Sequence, residues 1–440
     1  MRKFLLAEFE TIIIILLLSG PGLAADASLK DDAYHYMKNG IDDQIYNEWW
    51  SFCGSDNGSQ FMFVYLLSDP ENHTSARKIQ VQAIVLQDGQ EPLLLCQNSR
   101  GYGGDYGSPT FDIDKSGFSY QEEQGFRVWG SAKEAAAKAV HWDLIYQPAS
   151  SPWLATPVAT HVGHLKGDWM KWLVYMPSAR VTGMITIGNR TVSVNGIGYH
   201  DHVWGRWAMN DPLFAWAQVS VPKDGFSLTL GEARGEERNI LLGLRYGDKT
   251  ISFASKQIKL NYSAFAFDPK TATIFPTGYK VAARNGDYHL EMTVNVQKNV
   301  PISIEFPWPQ PGIIAFLQVG RMQGKLLLKS GESYRFDEIG FSGYTSHRLH
   351  PIFGRINDAD PANITIIAAS ERTGQEKTVK ISSDGWYWLD ANYSDYLADG
   401  SAPWVADGDK LRLLARDANG QERNGTIQIN LTEDRQEADL

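Results

Sequence analysis

The chain has 440 residues, of which 43% are hydrophobic and 21% are charged, so it can bury several cores and is not disordered by composition. Its 51 acidic residues outnumber its 41 Lys and Arg residues, and the resulting net charge of −10 argues against a nucleic-acid-binding protein. Aromatic residues make up 12%, including 14 Trp, which favours a β-rich fold with an aromatic-lined interior or groove.

The N-terminus has the pattern of a secretory signal peptide. Arg2 and Lys3 form a basic start, residues 12–18 form an apolar run, and small residues precede a predicted cleavage point after Ala24. A membrane anchor is the alternative, but an apolar run this short does not reach the roughly 20 residues that a spanning helix needs. We therefore predict that residues 1–24 are a signal peptide and that the mature protein is secreted or extracytoplasmic, with no stable membrane insertion.

Cysteines and glycosylation sequons support export. Cys53 and Cys96 are the only cysteines. In an oxidising compartment they predict one disulfide, whereas in the cytosol they would be two buried thiols. Acceptor sequons of the form Asn-x-Ser/Thr predict a glycosylated surface. They start at Asn57, Asn72, Asn189, Asn261, Asn363, Asn392, Asn424 and Asn430.

Most of the mature chain alternates between short apolar segments and turn residues. Residues 61–67 and 79–86 have the composition of strands, and residues 132–139, which are rich in Ala and Lys, predict a short surface helix. Three segment pairs flank tight turns and predict hairpins. These pairs are 184–187 with 191–194, 241–246 with 250–253, and 279–283 with 288–296. Regular short strands of this kind are typical of barrels and sandwiches.

A domain boundary is predicted near Pro351. The preceding residues 340–344 have the pattern of a closing strand, and the residues that follow form a separate set of short strands. These strands are predicted at 364–368, 378–381, 411–415 and 426–430. The size of this unit favours an immunoglobulin-like β-sandwich over residues 350–435. We expect it to be an accessory domain because it contains no dense cluster of titratable and aromatic residues.

The most informative segment is 196–207, with the sequence Gly-Ile-Gly-Tyr-His-Asp-His-Val-Trp-Gly-Arg-Trp. On a strand, His200, His202 and Trp204 would share one face and Asp201 would lie on the other. A histidine beside a carboxylate can act as acid or base near neutral pH. One alternative is that both histidines are hydrogen-bonded structural residues. Another is a metal site, which the lack of a matching third ligand motif disfavours.

Two other segments add acids and indoles. Glu48 precedes Trp49 and Trp50, and its pKa would be raised if the indoles exclude water, which suits a general acid. The alternative is that both tryptophans simply pack a core. Glu232 lies at a predicted strand end after Trp216, so it could complete an acid–aromatic pocket. The chain lacks a phosphate-cradling Gly loop, a Gly-x-Ser-x-Gly elbow and a Cys-x-x-Cys motif, which argues against common kinases, dinucleotide oxidoreductases and serine hydrolases.

Residues 47–50 and 198–205 together resemble the lipocalin-like carotenoid hydratase superfamily, which includes hydroxyneurosporene synthase, kievitone hydratase and fungal lipocalin-like Diels–Alderases. The resemblance covers about residues 40–348. It implies an all-β fold with two lipocalin-like β-barrel domains, which we place at 25–210 and 211–349. It also implies that the protein uses no metal or organic cofactor, and that hydratases of the family add water to, or remove it from, an isoprenoid double bond.

The resemblance also suggests roles for individual residues. His202 and Trp204 match the family's His-x-Trp pair, and Asp201 matches the neighbouring acid. Glu232 lies where some members have an acidic strand residue, although Gly231-Glu232-Ala233 departs from their Tyr-x-Asp pattern.

We therefore expect a secreted hydro-lyase that acts on an isoprenoid or prenylated hydrophobic small molecule. A cofactor-free isomerase or cyclase and a non-enzymatic carrier of an apolar ligand are the alternatives. The predicted catalytic residues are His202, Asp201, Glu232 and Glu48. The predicted substrate-binding residues are Trp204, His200, Trp49, Trp50, Tyr199, Trp207 and Trp216.

Overall fold

The structure, a computed structural model, describes most of the chain after the predicted signal peptide. The described residues are 27–36, 46–72, 77–135, 138–163, 167–208, 211–235, 237–304, 312–348, 350–356, 361–390, 405, 408–430, 435–438 and 440. The predicted signal peptide and the sequon at Asn392 lie outside them. The other sequon asparagines are exposed, except for the half-buried Asn430, and their glycosylation stays a prediction.

Strands dominate the described residues, in agreement with the all-β prediction. The first sheet contains β1 (Tyr46–Asp56), β2 (Ser59–Ser68), β3 (Lys78–Gln87), β4 (Leu93–Asn98), β5 (Gly103–Gly104), β6 (Thr110–Ile113), β7 (Ser116–Gln121), β8 (Gly125–Ala135), β9 (Lys138–Pro148), β10 (Trp153–Leu154), β11 (Thr160–His161), β12 (Trp169–Ile187) and β13 (Arg190–Arg206). Its antiparallel order is β4-β3-β2-β1-β13-β12-β9-β8-β7-β6-β5, and β10 and β11 pair with β12.

The second sheet is also antiparallel. It contains β14 (Leu213–Val221), β15 (Phe226–Arg234), β16 (Arg238–Tyr246), β17 (Lys249–Phe253), β18 (Ile258–Asp268), β19 (Thr273–Arg284), β20 (Tyr288–Ile304), β21 (Gly312–Leu328) and β22 (Ser333–Arg348). The strand order is β17-β16-β15-β14-β22-β21-β20-β19-β18. Both sheets curl around an apolar core of their own, and a third apolar cluster with residues from both sheets lies between them.

The third sheet forms the C-terminal β-sandwich. It contains β23 (Pro351–Arg355), β24 (Thr365–Ser370), β25 (Glu376–Ile381), β26 (Trp386–Asp390), β27 (Lys410–Arg416), β28 (Glu422–Gln428) and β29 (Gln436–Glu437). Short 3-10 turns occur at Leu29–Asp32, Pro222–Asp224, Ser255–Gln257 and Pro361–Asn363. This arrangement of two lipocalin-like sheets followed by a β-sandwich agrees with the predicted fold class. The described part of the chain contains no helix with the length and apolar character of a membrane span.

The three predicted hairpins are confirmed. Gly188-Asn189 joins β12 to β13, Gly247-Asp248 joins β16 to β17, and a turn at Asn285-Gly286 joins β19 to β20. Gly188 and Gly247 have φ of +59° and +58°, which is the left-handed conformation that such tight turns require.

The predicted helix at 132–139 is wrong, because residues 132–135 are the last residues of β8, and residues 138 and 139 are the first residues of β9, which pairs with it. Ala132 packs in the first core, while Lys133 and Glu134 are exposed. Eight residues are too few for a helix that is stable by itself, so the burial pattern of the sheet overrides local helix propensity.

The predicted disulfide is also wrong. Cys53 is buried on β1 and Cys96 is exposed on β4, and both are free thiols. Strands β2 and β3 lie between them. Neighbouring strands are about 4.8 Å apart, so β1 and β4 are about 14 Å apart, beyond the roughly 7 Å between Cα atoms that a disulfide can span.

Candidate functional site

The histidine-rich motif lies on β13, in the middle of the first sheet. Strand β13 pairs with β1 on one side and with β12 on the other. His202 lies opposite Trp50, and Asp201 lies opposite Ser51. Because side chains alternate along a strand, His200 and His202 face the interior of the first sheet, and Asp201 faces the second sheet. The structure therefore divides the predicted catalytic residues between two faces.

On the interior face, the histidines bind carboxylates from other parts of the chain. Asp32 comes from the N-terminal segment 27–36, and its Oδ2 is 2.9 Å from Nε2 of His200. Its Oδ1 is 3.4 Å from Nδ1 of His202. Nε2 of His202 is in turn 3.0 Å from Oε1 of Glu48. All four side chains are fully buried, so they form one closed network, which we call the interior network.

Glu48 also holds the N-terminal segment in place. The backbone N–H groups of His35 and Tyr36 donate to its two carboxylate oxygens at 2.9 and 3.1 Å. The hydroxyl of Tyr46 donates to Oε2 at 2.9 Å. The segment is thus attached to the first sheet through the same carboxylate that binds His202.

Electrostatics favour a charged interior network. Burial by itself raises the pKa of Asp32 and of Glu48, but the histidines more than offset it, so both pKa values lie below the ordinary range. Burial lowers the pKa of His202, but hydrogen bonds and attraction from Asp32 and Glu48 raise it above its usual value. The raised pKa predicted for Glu48 from its neighbouring indoles is therefore wrong, because imidazole partners outweigh the exclusion of water.

Aromatic rings cover the imidazoles of this face. Phe52 stacks on His200 with ring centroids 4.0 Å apart, and Trp50 stacks on His202 at 4.4 Å. Trp204 stacks on the ring of His35 at 4.1 Å. His202 and Trp204 therefore lie on one face of β13, as predicted, and their rings pack closely with His35 of the N-terminal segment.

One group in the interior network has the donor set of a metal site. His35, Glu48 and His202 each offer a ligand atom, and these atoms lie within 4.8 Å of one another. Zinc binds N and O ligands at about 2.0–2.2 Å, so two ligands of one ion lie no more than about 4.4 Å apart. Oε1 of Glu48 lies 3.4 Å from Nδ1 of His35 and 3.0 Å from Nε2 of His202, so these separations are within that limit, but Glu48 would have to exchange hydrogen bonds for the ion.

The opposite face of β13 borders a cavity of about 250 Å³ between the first and second sheets. Its walls are mainly apolar and aromatic, with few polar groups. The walls include Trp49, Ser51, Met62, Val162, Trp172, Asp201, Val203, Trp216, Ala233 and Leu241. A neighbouring cavity of about 230 Å³ shares Trp49, Ser51 and Trp216 and continues among aliphatic side chains of β20 and β21. Of the residues that line this second cavity, none carries a charge.

Asp201 is the buried acid of the first cavity. Its Oδ2 accepts hydrogen bonds from the hydroxyl of Tyr199 at 2.9 Å and from Nε1 of Trp172 at 3.0 Å. Its Oδ1 is buried and makes no close hydrogen bond with a described residue, and the hydroxyl of Ser51 adds a small contribution that lowers the pKa of the carboxyl. Burial raises the pKa of Asp201 above the ordinary range, although the hydrogen bonds from Trp172 and Tyr199 oppose the change. The carboxyl therefore keeps its proton to a higher pH than an ordinary aspartate.

Glu232 also borders the cavity, but its carboxylate has cationic partners. Nε of Arg238 lies 2.5 Å from Oε1, and Nε of Arg234 lies 3.6 Å from Oε2. The hydroxyl of Tyr262 donates to Oε2 as well. This carboxylate is therefore engaged by guanidinium groups, whereas that of Asp201 has neutral hydrogen-bond donors.

The remaining predicted residues belong to the region between the sheets. Trp207 is buried and packs edge-on against Trp49, with ring centroids 5.5 Å apart. Nε1 of Trp216 donates to the hydroxyl of Tyr199 at 3.3 Å. Sequence reasoning missed Asp32, His35, Ser51 and Trp172. The alternation of β1 around Trp49 and Trp50 would have indicated Ser51, whereas no local signal marks the other three.

Comparisons with known proteins identify the fold. No protein-family model and no curated protein matches the sequence. The crystal structure of a protein named as an AttH from Nitrosomonas europaea is 14% identical, covers 74% of this chain and 97% of its own, and superposes with a TM-score of 0.53. Kievitone hydratase from Nectria haematococca is 13% identical, covers 68% and 88%, and has a TM-score of 0.48. At these identities, the likeness to the first of these structures shows a shared fold.

Proposed function

We propose that this chain is a hydro-lyase that adds water to, or removes it from, a double bond of an isoprenoid or prenylated small molecule. The cavity between the two sheets is the proposed active site, and Asp201 is the proposed proton donor. One observation carries the proposal. A buried carboxyl with a raised pKa borders an apolar cavity that is walled by indole rings. The resemblance of residues 198–205 to carotenoid hydratases supports the same reaction class.

The chemistry of hydration matches these groups. The carboxyl of Asp201 gives its proton to the less substituted carbon of the alkene, and a tertiary carbocation forms at the other carbon. The faces of Trp49 and Trp216 can stabilise this cation, because aromatic rings attract cations by about 0.5–2 kcal/mol each. Water then bonds to the cationic carbon and returns one proton to the carboxylate. The reverse sequence removes water, and neither direction consumes another reactant.

Residues of the interior network take a different role in this proposal. His202 and Trp204 lie on the other face of β13, so we assign them no contact with the substrate. We propose that they stabilise the strand that presents Asp201.

The test uses purified protein, a panel of prenylated phenols and isoprenoid alcohols, and heavy-oxygen water. We expect the product of hydration to contain one heavy oxygen atom. Asp201→Asn should lower turnover by at least about 100-fold, as expected for the loss of a general acid. The matched control is Asp143→Asn, which changes an exposed carboxylate that pairs with Arg127, and it should leave turnover unchanged.

Two outcomes would contradict the proposal. A product of unchanged mass without label would mean an isomerase or cyclase. A ligand that binds and is recovered unaltered, with the same affinity for wild type and Asp201→Asn, would mean a carrier.

A further inference from the structure

We propose that Tyr199 and Trp172 are positioning residues that bind one oxygen of Asp201 and thereby leave Oδ1 as the oxygen that carries the transferred proton. This inference rests on the proposed function, because it specifies how the acid of that cavity is oriented. Neither residue needs to touch the substrate to perform this role.

The direction of each hydrogen bond carries the inference. An indole N–H can only donate, so Trp172 makes Oδ2 of Asp201 an acceptor. The N–H of Trp216 donates to the oxygen of Tyr199, which leaves the hydroxyl hydrogen of Tyr199 to point at the same Oδ2. If the proton of the carboxyl were on Oδ2, it would take the oxygen of Tyr199 as its acceptor, and the hydroxyl hydrogen of Tyr199 would then lose its own acceptor among these three residues. We therefore assign the proton to Oδ1, which borders no competing donor in this set.

The surroundings of Oδ1 fit that assignment. Among the described residues, none makes a close hydrogen bond with the buried Oδ1, and the Asp201 side chain borders the cavity. Ser51, directly opposite Asp201 on β1, borders the cavity too, and its hydroxyl interacts with the Asp201 carboxyl. A proton on Oδ1 is thus presented beside a hydroxyl that can hold the reacting water or an alcohol of the substrate. Fixing the carboxyl in this way supplies orientation before the reaction begins.

The two hydrogen bonds have a measurable side effect. Donors at Oδ2 favour the ionised carboxylate, so they hold the pKa of Asp201 below the value that burial alone would set. Removing one donor should therefore slow proton transfer and, at the same time, shift the titration to higher pH. A residue that only supports the fold would slow the reaction without moving the titration.

Other titratable groups near the carboxyl do not obscure this effect. Burial raises the pKa of both Tyr199 and Cys53 well above the ordinary range, so both stay neutral while Asp201 titrates. His200 lies on the other face of β13 with its ring bonded to Asp32, and it lowers the pKa of Asp201 by electrostatic attraction that the variants leave in place. Glu232 is paired with Arg238. Asp201→Asn removes only the signal of the carboxyl in question and identifies it.

The experiment compares Tyr199→Phe and Trp172→Phe with wild type and with the control Tyr120→Phe, whose exposed hydroxyl donates to the backbone carbonyl of Glu122 at 3.5 Å. One readout is the pH dependence of kcat and KM. The other is the infrared C=O band of the protonated carboxyl as a function of pH, which needs no substrate. Circular dichroism confirms that each variant is folded.

We expect Tyr199→Phe and Trp172→Phe each to lower kcat by about tenfold or more with little change in KM. The alkaline limb of the profile and the infrared titration should both move to higher pH, and Tyr120→Phe should match wild type. If folded variants show an unmoved titration and an unmoved limb, the positioning role is overturned. If the infrared titration moves but no protein converts any substrate, the hydrogen-bonding claim is supported and the proposed hydro-lyase function is the part that fails.

Discussion

The two faces of β13 bury titratable groups in opposite ways. On the interior face, Asp32 lies against two imidazoles, and its pKa is lowered. On the cavity face, the described residues that donate hydrogen bonds to Asp201 are neutral, and its pKa is raised. Both carboxyls are almost completely withdrawn from water, so burial acts on both in the same direction. The difference indicates that the charge of the partners, and not burial, decides whether the pKa of a buried acid falls or rises.

The largest effect that tests this comparison is expected for the unfolding free energy of Asp32→Asn. Losing one partner of a buried ion network leaves a charge uncompensated, so the free energy of unfolding should fall by about 3–5 kcal/mol near neutral pH. Because the folded pKa of Asp32 is lowered, its contribution is present above about pH 3.9 and is lost as the pH falls through the folded value. The difference in unfolding free energy between wild type and Asp32→Asn, measured by urea denaturation, should therefore become smaller as the pH is lowered.

The partner in this test, Asp201→Asn, should behave in the opposite way. A raised folded pKa means that wild type loses stability as the pH rises from the unfolded value through the folded one. The unfolding free energy of Asp201→Asn should therefore rise relative to that of wild type as the pH rises. The difference between the two proteins should stay below about 2 kcal/mol. If both variants lose stability with the same pH dependence, the contrast between the faces is wrong. Asp143→Asn serves again as the exposed control.

A smaller effect separates two neighbouring tryptophans of β1. Trp50 donates its indole N–H to the backbone carbonyl of Asp32 at 3.2 Å and stacks on His202. Trp50→Phe should cost about 1–2 kcal/mol of unfolding free energy and leave ligand affinity unchanged. Trp49 lines both cavities, so Trp49→Phe should weaken ligand binding several-fold with a smaller loss of stability. Equal effects of the two variants on binding would contradict the assignment of the cavity face.

The smallest effect concerns the two thiols. Cys53 lies on the cavity side of β1 and is completely buried, whereas Cys96 is exposed on β4. In the folded protein, we expect a thiol reagent at alkaline pH to modify Cys96 and to reach Cys53 only after unfolding. Mass analysis of the modified peptides reads this directly. Rapid modification of Cys53 in the native state would show that the region between the sheets is open to solvent.

Local patterns were sufficient for much of the fold. Turn residues such as Gly188-Asn189 and alternating strands predicted the hairpins, and the spacing of His200, Asp201 and His202 predicted that the acid and the imidazoles would face opposite ways. These features depend on contacts between residues close in the chain, so the sequence contains the whole signal. The helix predicted at 132–139 failed because the environment of the sheet outweighed a short local preference.

The sequence by itself determined the all-β architecture and the residue types that alternate along β1 and β13. Only the tertiary structure decided which group each acid meets. Asp32 reaches His200 across 168 positions of sequence, and Trp172 reaches Asp201 from a neighbouring strand. Since the pKa of a buried acid depends on charges and donors within a few ångströms, it is set by contacts that sequence spacing does not encode.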